Sequence, residues 1–237
     1  MALAVVHTRA ALGVDAPSVS VEVHLGGGLP SLSIVGLPNT AVREARDRVR
    51  GALTTSGFEF PRRRITVNLA PADLPKDGTR FDLAIALGIL AASGQIPAKA
   101  LENHVFSAEL ALSGHLRPVS GSLAIALRCA DARETLIVSK ANAAEAAIAE
   151  GSVHGAGHLL DVCAHLNGEQ LLPPAAAETI QRPRNHADLA DVIGQQRARR
   201  ALEIAAAGGH SLLFSGPPGS GKSLLAARLP GLLPPMT

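Results

Sequence analysis

The chain contains no tryptophan and no tyrosine, and its 2% aromatic content rests on five phenylalanines, Phe58, Phe60, Phe81, Phe106 and Phe214. Stacking platforms for unpaired bases are therefore scarce, and the core has to be filled by Ala, Leu, Val and Ile. Two cysteines, Cys129 and Cys163, are too few for a disulfide framework and lack the CxxC spacing of a redox pair, so both are expected reduced and buried. An excess of one charge is missing as well. The 22 Lys and Arg against 20 Asp and Glu leave +2, too little for the whole surface to attract nucleic acid, so any DNA contact has to come from a local patch. Nor is there a long apolar run at the start: "MALAVVHTRAALGVDAP" is interrupted by His7 and Arg9, lacks a basic lead and is too short to span a bilayer. No membrane association is expected, and the cytoplasm is the expected compartment.

What is present suffices for one large domain or two small ones: 237 residues, 47% of them hydrophobic, with a mean hydropathy of +0.22. Period-two alternation marks strands in "PSVSVEVHLG", with Val19, Val21 and Val23 on one face, and in "RITVNLAP", with Ile65, Val67 and Leu69. "LSIVG" is a second short strand after the first, and the two are expected to form a hairpin. "NTAVREARDRVRGALTTSGF" places Val42, Ala45, Val49 and Leu53 on one helical face, with Asn39 or Thr40 available as N-cap. Further helices are expected at "FDLAIALGILAASGQ", "SGSLAIALRCADAR", "KANAAEAAIAE" and "LLDVCAHLNG", and strands at "HVFSAELAL", "GHLRPV" and "TLIVS". The pattern is α/β with mixed strand pairing. Three segments follow: residues 1–170 as one domain, 171–187 as a linker carrying Pro173, Pro174 and Pro183, and 188–237 as the start of a second domain.

The second domain carries the sharpest signal. Gly216, Pro217, Pro218, Gly219, Ser220, Gly221, Lys222 and Ser223 fit GxxxxGK[ST] between an apolar stretch "SLLF", expected as a buried strand, and a helix "KSLLAARL". Backbone N–H groups wrap phosphates only where the turn tolerates unusual dihedrals, which glycine supplies. Lys222 would then reach the β and γ phosphates of ATP, and the Ser223 hydroxyl would coordinate Mg²⁺. Hydrolysis additionally needs an acid that holds Mg²⁺ and an arginine that neutralises developing charge. The 14 residues after Ser223 contain no acid, so this stretch is expected to be the first step of a larger nucleotide-binding domain and to fold loosely.

Several stretches together resemble the ComM or YifB type of magnesium-chelatase-like AAA+ proteins: "VGLPNTAVREARDRVRGAL" from Val35, "RITVNLAPADLPKDGTRFDLAIALGILAASGQI" from Arg64, "GHLRPVSG" from Gly114, and "DVIGQ" with the phosphate loop after it. The resemblance implies a Lon-protease-like domain, related in fold to the second domain of ribosomal protein S5, followed by a AAA+ module. It implies a hexameric ATPase, the ComM-type members acting as DNA helicases in branch migration during recombination and natural transformation. Asp191 to Gln195 match that family's adenine-side motif, which implies nucleotide contacts from Val192 and Ile193. Lon-type peptidases carry a serine just after "PKDG" and a lysine downstream. Here Arg80 and Leu123 stand at those positions, so no peptidase is expected. The alternatives are the motor subunit of a metal chelatase and an assembly or DNA-binding module without catalysis.

Two weaker patterns complete the reading. Arg43, Arg46, Arg48 and Arg50 recur on one helix and Arg62, Arg63 and Arg64 form a run. Both suit phosphate contact, although the interleaved Glu44 and Asp47 equally suit a salt-bridged face. His154, His158, Cys163 and His165 crowd one segment, but Cys163 and His165 point about 200° apart on a helix and should not ligate zinc together. Lys76 and Asp77 are read as loop residues.

Overall fold

The computed structural model describes residues 2–177 and 187–233. The chain divides into two compact units, Met1–Glu178 and Thr179–Thr237.

The first unit is a mixed α/β fold built on a seven-stranded sheet. Its elements in chain order are β1 (Ala2–Arg9), β2 (Ser18–Gly26), β3 (Ser31–Val35), α1 (Thr40–Thr55), β4 (Arg64–Ala70), α2 (Asp82–Ala92), β5 (His104–Ser107), β6 (Glu109–Leu110), β7 (Leu116–Arg117), α3 (Ser122–Ala132), β8 (Thr135–Ser139), α4 (Lys140–Ala146), β9 (Val153–Ala156) and α5 (Leu159–Leu166). The sheet order is β3-β4-β2-β1-β5-β8-β9, with β6 and β7 forming a separate small ribbon. The β2 strand lies antiparallel to both β1 and β4, whereas β3 runs parallel to β4 and β5, β8 and β9 run parallel to one another.

The predicted hairpin between β2 and β3 does not form. Both edges of β2 are taken by the longer strands β1 and β4, whose alternating apolar faces bury more surface than the five-residue β3 could. Strands β1 and β9 were also not foreseen. Ala4 and Val6 of β1 point into the core, and β1 is central, pairing with β2 on one side and β5 on the other.

The expected alternation holds where it was read. Val19, Val21, Val23, Ile65, Val67 and Leu69 are all buried and pack with Val42, Ala45, Val49 and Leu53 of α1. Asn39 caps α1, its Oδ1 accepting from the Val42 amide at 2.9 Å. All eleven residues of α2 are buried, as befits a helix apolar on every side that lies between sheet and α1. Its one charge, Asp82, is fully buried and takes a bidentate grip on Arg48 of α1 at 2.7 and 3.0 Å, while also accepting from the Leu110 amide at 3.2 Å. Burial pushes the Asp82 carboxyl up and the Arg48 guanidinium pulls it back. Cys129 and Cys163 are free and buried, as expected, their thiols pushed up to about 11 and about 12 by desolvation.

Residues 172–175, assigned from sequence to the linker, are fastened to the first unit instead. The Ala175 amide donates to the Val153 carbonyl at 2.8 Å, the Leu172 amide donates to His165 Nδ1 at 3.0 Å, and His154 Nδ1 donates to the Leu172 and Pro173 carbonyls at 2.9 and 3.1 Å. Residues 178–186 of that linker, and residues 234–237, lie outside the described residues.

The second unit holds α6 (Gln196–Gly208), α7 (Lys222–Ala226) and α8 (Leu229–Leu232). Two expectations fail here. "SLLF" forms no strand: a strand needs a neighbour for its backbone groups, and none lies beside it among the described residues, so Leu213 stays 90% exposed. The helix after the phosphate loop breaks in two, because Pro230 has no N–H to give to the carbonyl of Ala226. Among the described residues no helix is long and apolar enough to cross a membrane.

Candidate nucleotide-binding site

The phosphate loop turns through a sequence of dihedrals that its glycines make accessible. Gly221 lies at φ 80°, directly before α7, and a Cβ there would fall 2.6 Å from Gln195 Nε2. The dihedral favours glycine at that position, and a side chain there would also displace the Gln195 amide. The loop is exposed from Ser215 to Gly219, and the Ser223 hydroxyl is exposed on the first turn of α7. Lys222 arches back across the loop, its ammonium donating to the carbonyls of Gly216 and Pro217 at 2.8 Å each and to Ser220 Oγ at 3.3 Å. The eight motif residues are therefore gathered into one turn with a cation at its centre.

The flanking motif is placed less simply. Val192 is buried in the small apolar core of this unit with Leu189, Leu202 and Leu225, against which Phe214 packs. Its side chain is committed to that core, whereas Ile193 beside it is 96% exposed. The residue that ties this segment to the loop is Gln195, whose Nε2 donates to the Ser220 carbonyl at 2.9 Å. Sequence reasoning noted Gln195 only as the end of a motif. The available signal was "GQ" before a helix, a turn that holds Gln195 itself at φ 51°.

The arginines separate into three groups. Arg48 belongs to the fold through Asp82. Arg50 lies over the Phe60 ring at 5.3 Å, and Arg62 and Arg63 beyond that ring line a groove of about 350 Å³ with Glu59, Ser93 and Gln95, while Arg64 is exposed at the start of β4. Arg43 and Arg46 line a different groove, beside β3.

The segments that carry Arg80 and "RPVSG" do meet. Arg80 is buried, and its Nη1 donates to the Ser120 carbonyl at 3.1 Å, with desolvation pushing the guanidinium down. Ser122 is buried with its hydroxyl donating to the Val119 carbonyl at 3.2 Å, and Lys140 is exposed on α4, so no serine and lysine are brought together as a dyad there. Lys76, read as a loop residue, is instead fully buried: its ammonium donates to the Pro71 carbonyl and burial pushes it down. Among the described residues no group of three or more His, Cys, Asp or Glu is arranged to hold a metal. His158 has a structural task instead, capping α5 by accepting from the Leu160 amide at 3.1 Å and donating from Nε2 to the Ser113 carbonyl at 2.9 Å.

The profile of the family described as "Subunit ChlI of Mg-chelatase" matches residues 21–142, and that of "Magnesium chelatase, subunit ChlI" matches residues 188–237. The chain is 53% identical over 238 residues to YifB of Salmonella typhimurium and 51% identical over 243 residues to YifB of Escherichia coli. It is 53% identical over 244 residues to the competence protein ComM of Haemophilus influenzae. Each match covers 100% of this chain and 47 to 48% of the relative, so the chain spans about half the length of the curated relatives it matches. A family profile covering half the chain, and relatives of this identity along all of it, place it plainly: the chain belongs to the magnesium-chelatase-like proteins of the ComM and YifB type.

Proposed function

We propose that this chain is the N-terminal part of a cytoplasmic, ATP-binding AAA+ motor that assembles as a hexamer and works on DNA, in branch migration during recombination and natural transformation. One observation carries the nucleotide part: Gly216 to Ser223 form a single turn, exposed over Gly216 to Gly219, around the Lys222 ammonium.

The donor set fits Mg²⁺-ATP. The ammonium of Lys222 is held by neutral carbonyls of the loop, and phosphate oxygens are stronger partners for a cation than carbonyls are. Lys222 would exchange those carbonyls for the β and γ phosphates, while Ser223 presents its hydroxyl to the metal. Gln195, bonded to the Ser220 carbonyl, ties the exposed Ile193 to the phosphate turn and so offers an apolar contact for the base. Bound Mg²⁺-ATP supplies the phosphoanhydride whose cleavage would drive movement. These residues bind; they do not include the acid and arginine that cleavage requires.

The first unit fits a Lon-protease-like domain, of the type of ribosomal protein S5 domain 2, that keeps the fold and not the peptidase. Arg80 fills the place of the nucleophile and Leu123 that of the lysine. DNA contact falls best to Arg50, Arg62 and Arg63, which share one region through Phe60, with the exposed Arg64 next in the chain. The relative named as a competence protein supports the DNA reading.

A second reading, the motor subunit of a magnesium chelatase, is favoured by the descriptions of both matching profiles. The complete reading frame separates the two. With forked DNA, Lys222→Ala should abolish both ATPase and unwinding. Retained unwinding rejects the motor reading, and ATPase stimulated by a tetrapyrrole but not by DNA favours the chelatase.

A further inference from the structure

Strand β3 is the outermost strand on its side of the sheet. The Ser31 amide donates to the Arg63 carbonyl at 3.4 Å in its parallel pairing with β4. Backbone polar groups alternate sides along a strand, so Ser31, Ser33 and Val35 turn theirs toward β4 and Leu32 and Ile34 turn theirs outward. No strand meets that outer edge among the described residues. Between the edge and α1 runs a groove of about 670 Å³, lined by Leu32, Ile34, Leu37, Pro38, Arg43 and Arg46.

The far end of the groove is held in a costly conformation. Leu37 sits at φ 55° and is 61% exposed, unusual for a leucine on both counts. Just before it the chain passes backbone against backbone, for a Cβ on Gly36 would fall 2.1 Å from the Leu69 carbonyl oxygen. The buried Lys76 fixes the turn through its backbone: its amide donates to the Leu37 carbonyl at 3.5 Å, and its carbonyl accepts from the Asn39 amide at 3.1 Å. A buried lysine and a strained turn thus present one exposed leucine at the mouth of the groove.

Charge completes the pattern. Arg46 reaches only its chain neighbour Asp47, at 3.6 Å with both side chains more than half exposed, and Arg43 forms no ion pair among the described residues. Glu44, the other acid on this part of α1, leans toward Arg48 at 3.8 Å. The lining therefore combines an unpaired backbone edge, apolar side chains and two available cations.

We propose that the edge of β3 captures an extended acidic segment of a partner polypeptide, which adds as a strand beside it. Alternate apolar side chains of that segment would cover Leu32, Ile34 and Leu37, and its carboxylates would meet Arg43 and Arg46. Nucleic acid fits less well, because the outward carbonyls of Leu32 and Ile34 would face phosphate oxygens.

The test uses the full chain and three fluorescein-labelled heptapeptides: one alternating valine with glutamate, the same peptide with lysine for glutamate, and the acidic peptide with alternate amides N-methylated. Fluorescence anisotropy should show binding of the first, and at least a ~tenfold weaker affinity for the other two, the scale of one lost charge-assisted pair or strand hydrogen-bond set. The double variant Arg43→Glu, Arg46→Glu alters exposed side chains and should keep its far-UV circular dichroism while binding the acidic peptide at least ~tenfold more weakly. Hydrogen exchange at the Leu32 and Ile34 amides should slow when the acidic peptide is present. Absence of binding, equal binding of the N-methylated peptide, or unchanged exchange at those amides overturns the proposal. So does displacement of the peptide by duplex DNA, which would give the arginines to phosphate. Protection that rises with protein concentration alone would give the edge to a second copy and equally overturn it.

Discussion

The two units of this chain show opposite relations between scaffold and site. In the first, residues distant in sequence interlock: Val6, Val21, Ile65, Leu53, Leu87 and Phe106 are all fully buried in one core, and Ile125, Leu136 and Val138 in a second. Its chemistry is faint: Arg80 and Ser122 are buried in hydrogen bonds to backbone carbonyls, and Lys140 stands apart on α4. In the second, the core amounts to Leu189, Val192, Leu202 and Leu225, and large apolar side chains such as Ile193, Leu212 and Leu213 stand exposed among the described residues. Yet its eight-residue loop matches the GxxxxGK[ST] pattern in full. A phosphate loop is a local object, written in the dihedrals of its own glycines, whereas a core exists only through pairings between distant residues.

The largest effect is expected from breaking the buried ion pair that joins α1 to α2. Asp82→Ala leaves Arg48 without its bidentate partner and should cost about 3–5 kcal/mol in urea unfolding. A loss under about 1 kcal/mol would show that the first unit does not depend on that pair. Next comes Leu202→Ala in the second unit, expected to cost about 2–3 kcal/mol there while leaving the unfolding transition of the first unit unmoved. Coincident shifts of both transitions would refute the idea of separately supported units. A smaller effect should follow acidification. Burial, then His154 and His104, push His165 down, so the folded chain resists the proton that the unfolded chain accepts. Stability should therefore fall as pH drops below about 6.5, with a slope of at most ~1.4 kcal/mol per pH unit for the one proton. The Leu172 amide, which donates to His165 Nδ1, should lose exchange protection over the same range, and His165→Gln should remove the dependence. The smallest effect is chemical: with thiols pushed up to about 11 and about 12, Cys129 and Cys163 should resist iodoacetamide at pH 8 until urea unfolds the chain. Their contribution to stability should be lost as pH rises from about 9 toward 11, where the unfolded thiols ionise first.

How much of this was legible in the sequence follows the same division. The alternation of Val19, Val21 and Val23, the helical face of Val42, Ala45, Val49 and Leu53, and the Asn39 cap were all readable because each obeys a short-range period. The order of strands was not. The four residues between Gly26 and Ser31 suggest a hairpin, and only the long-range competition of β1 and β4 for the edges of β2 decides otherwise. The burial of Lys76 was hidden for a similar reason: its loop reads as solvated, and its true setting depends on the turn at Leu37, nearly forty residues earlier. In the candidate site, Lys222 and the glycines were readable as a motif, while the bond from Gln195 to the Ser220 carbonyl was visible only in the structure.

The central claim is that the turn from Gly216 to Ser223 grips a nucleoside triphosphate through Lys222. Its most direct test is equilibrium titration of a fluorescent ATP analogue with Mg²⁺ into the chain and into its Lys222→Ala variant, whose folding can be verified by circular dichroism. Saturable binding by the chain and at least a ~hundredfold loss in the variant, the scale of removing a charge-assisted phosphate contact, is the predicted result. Equal binding by both, or none by the unaltered chain, would contradict it.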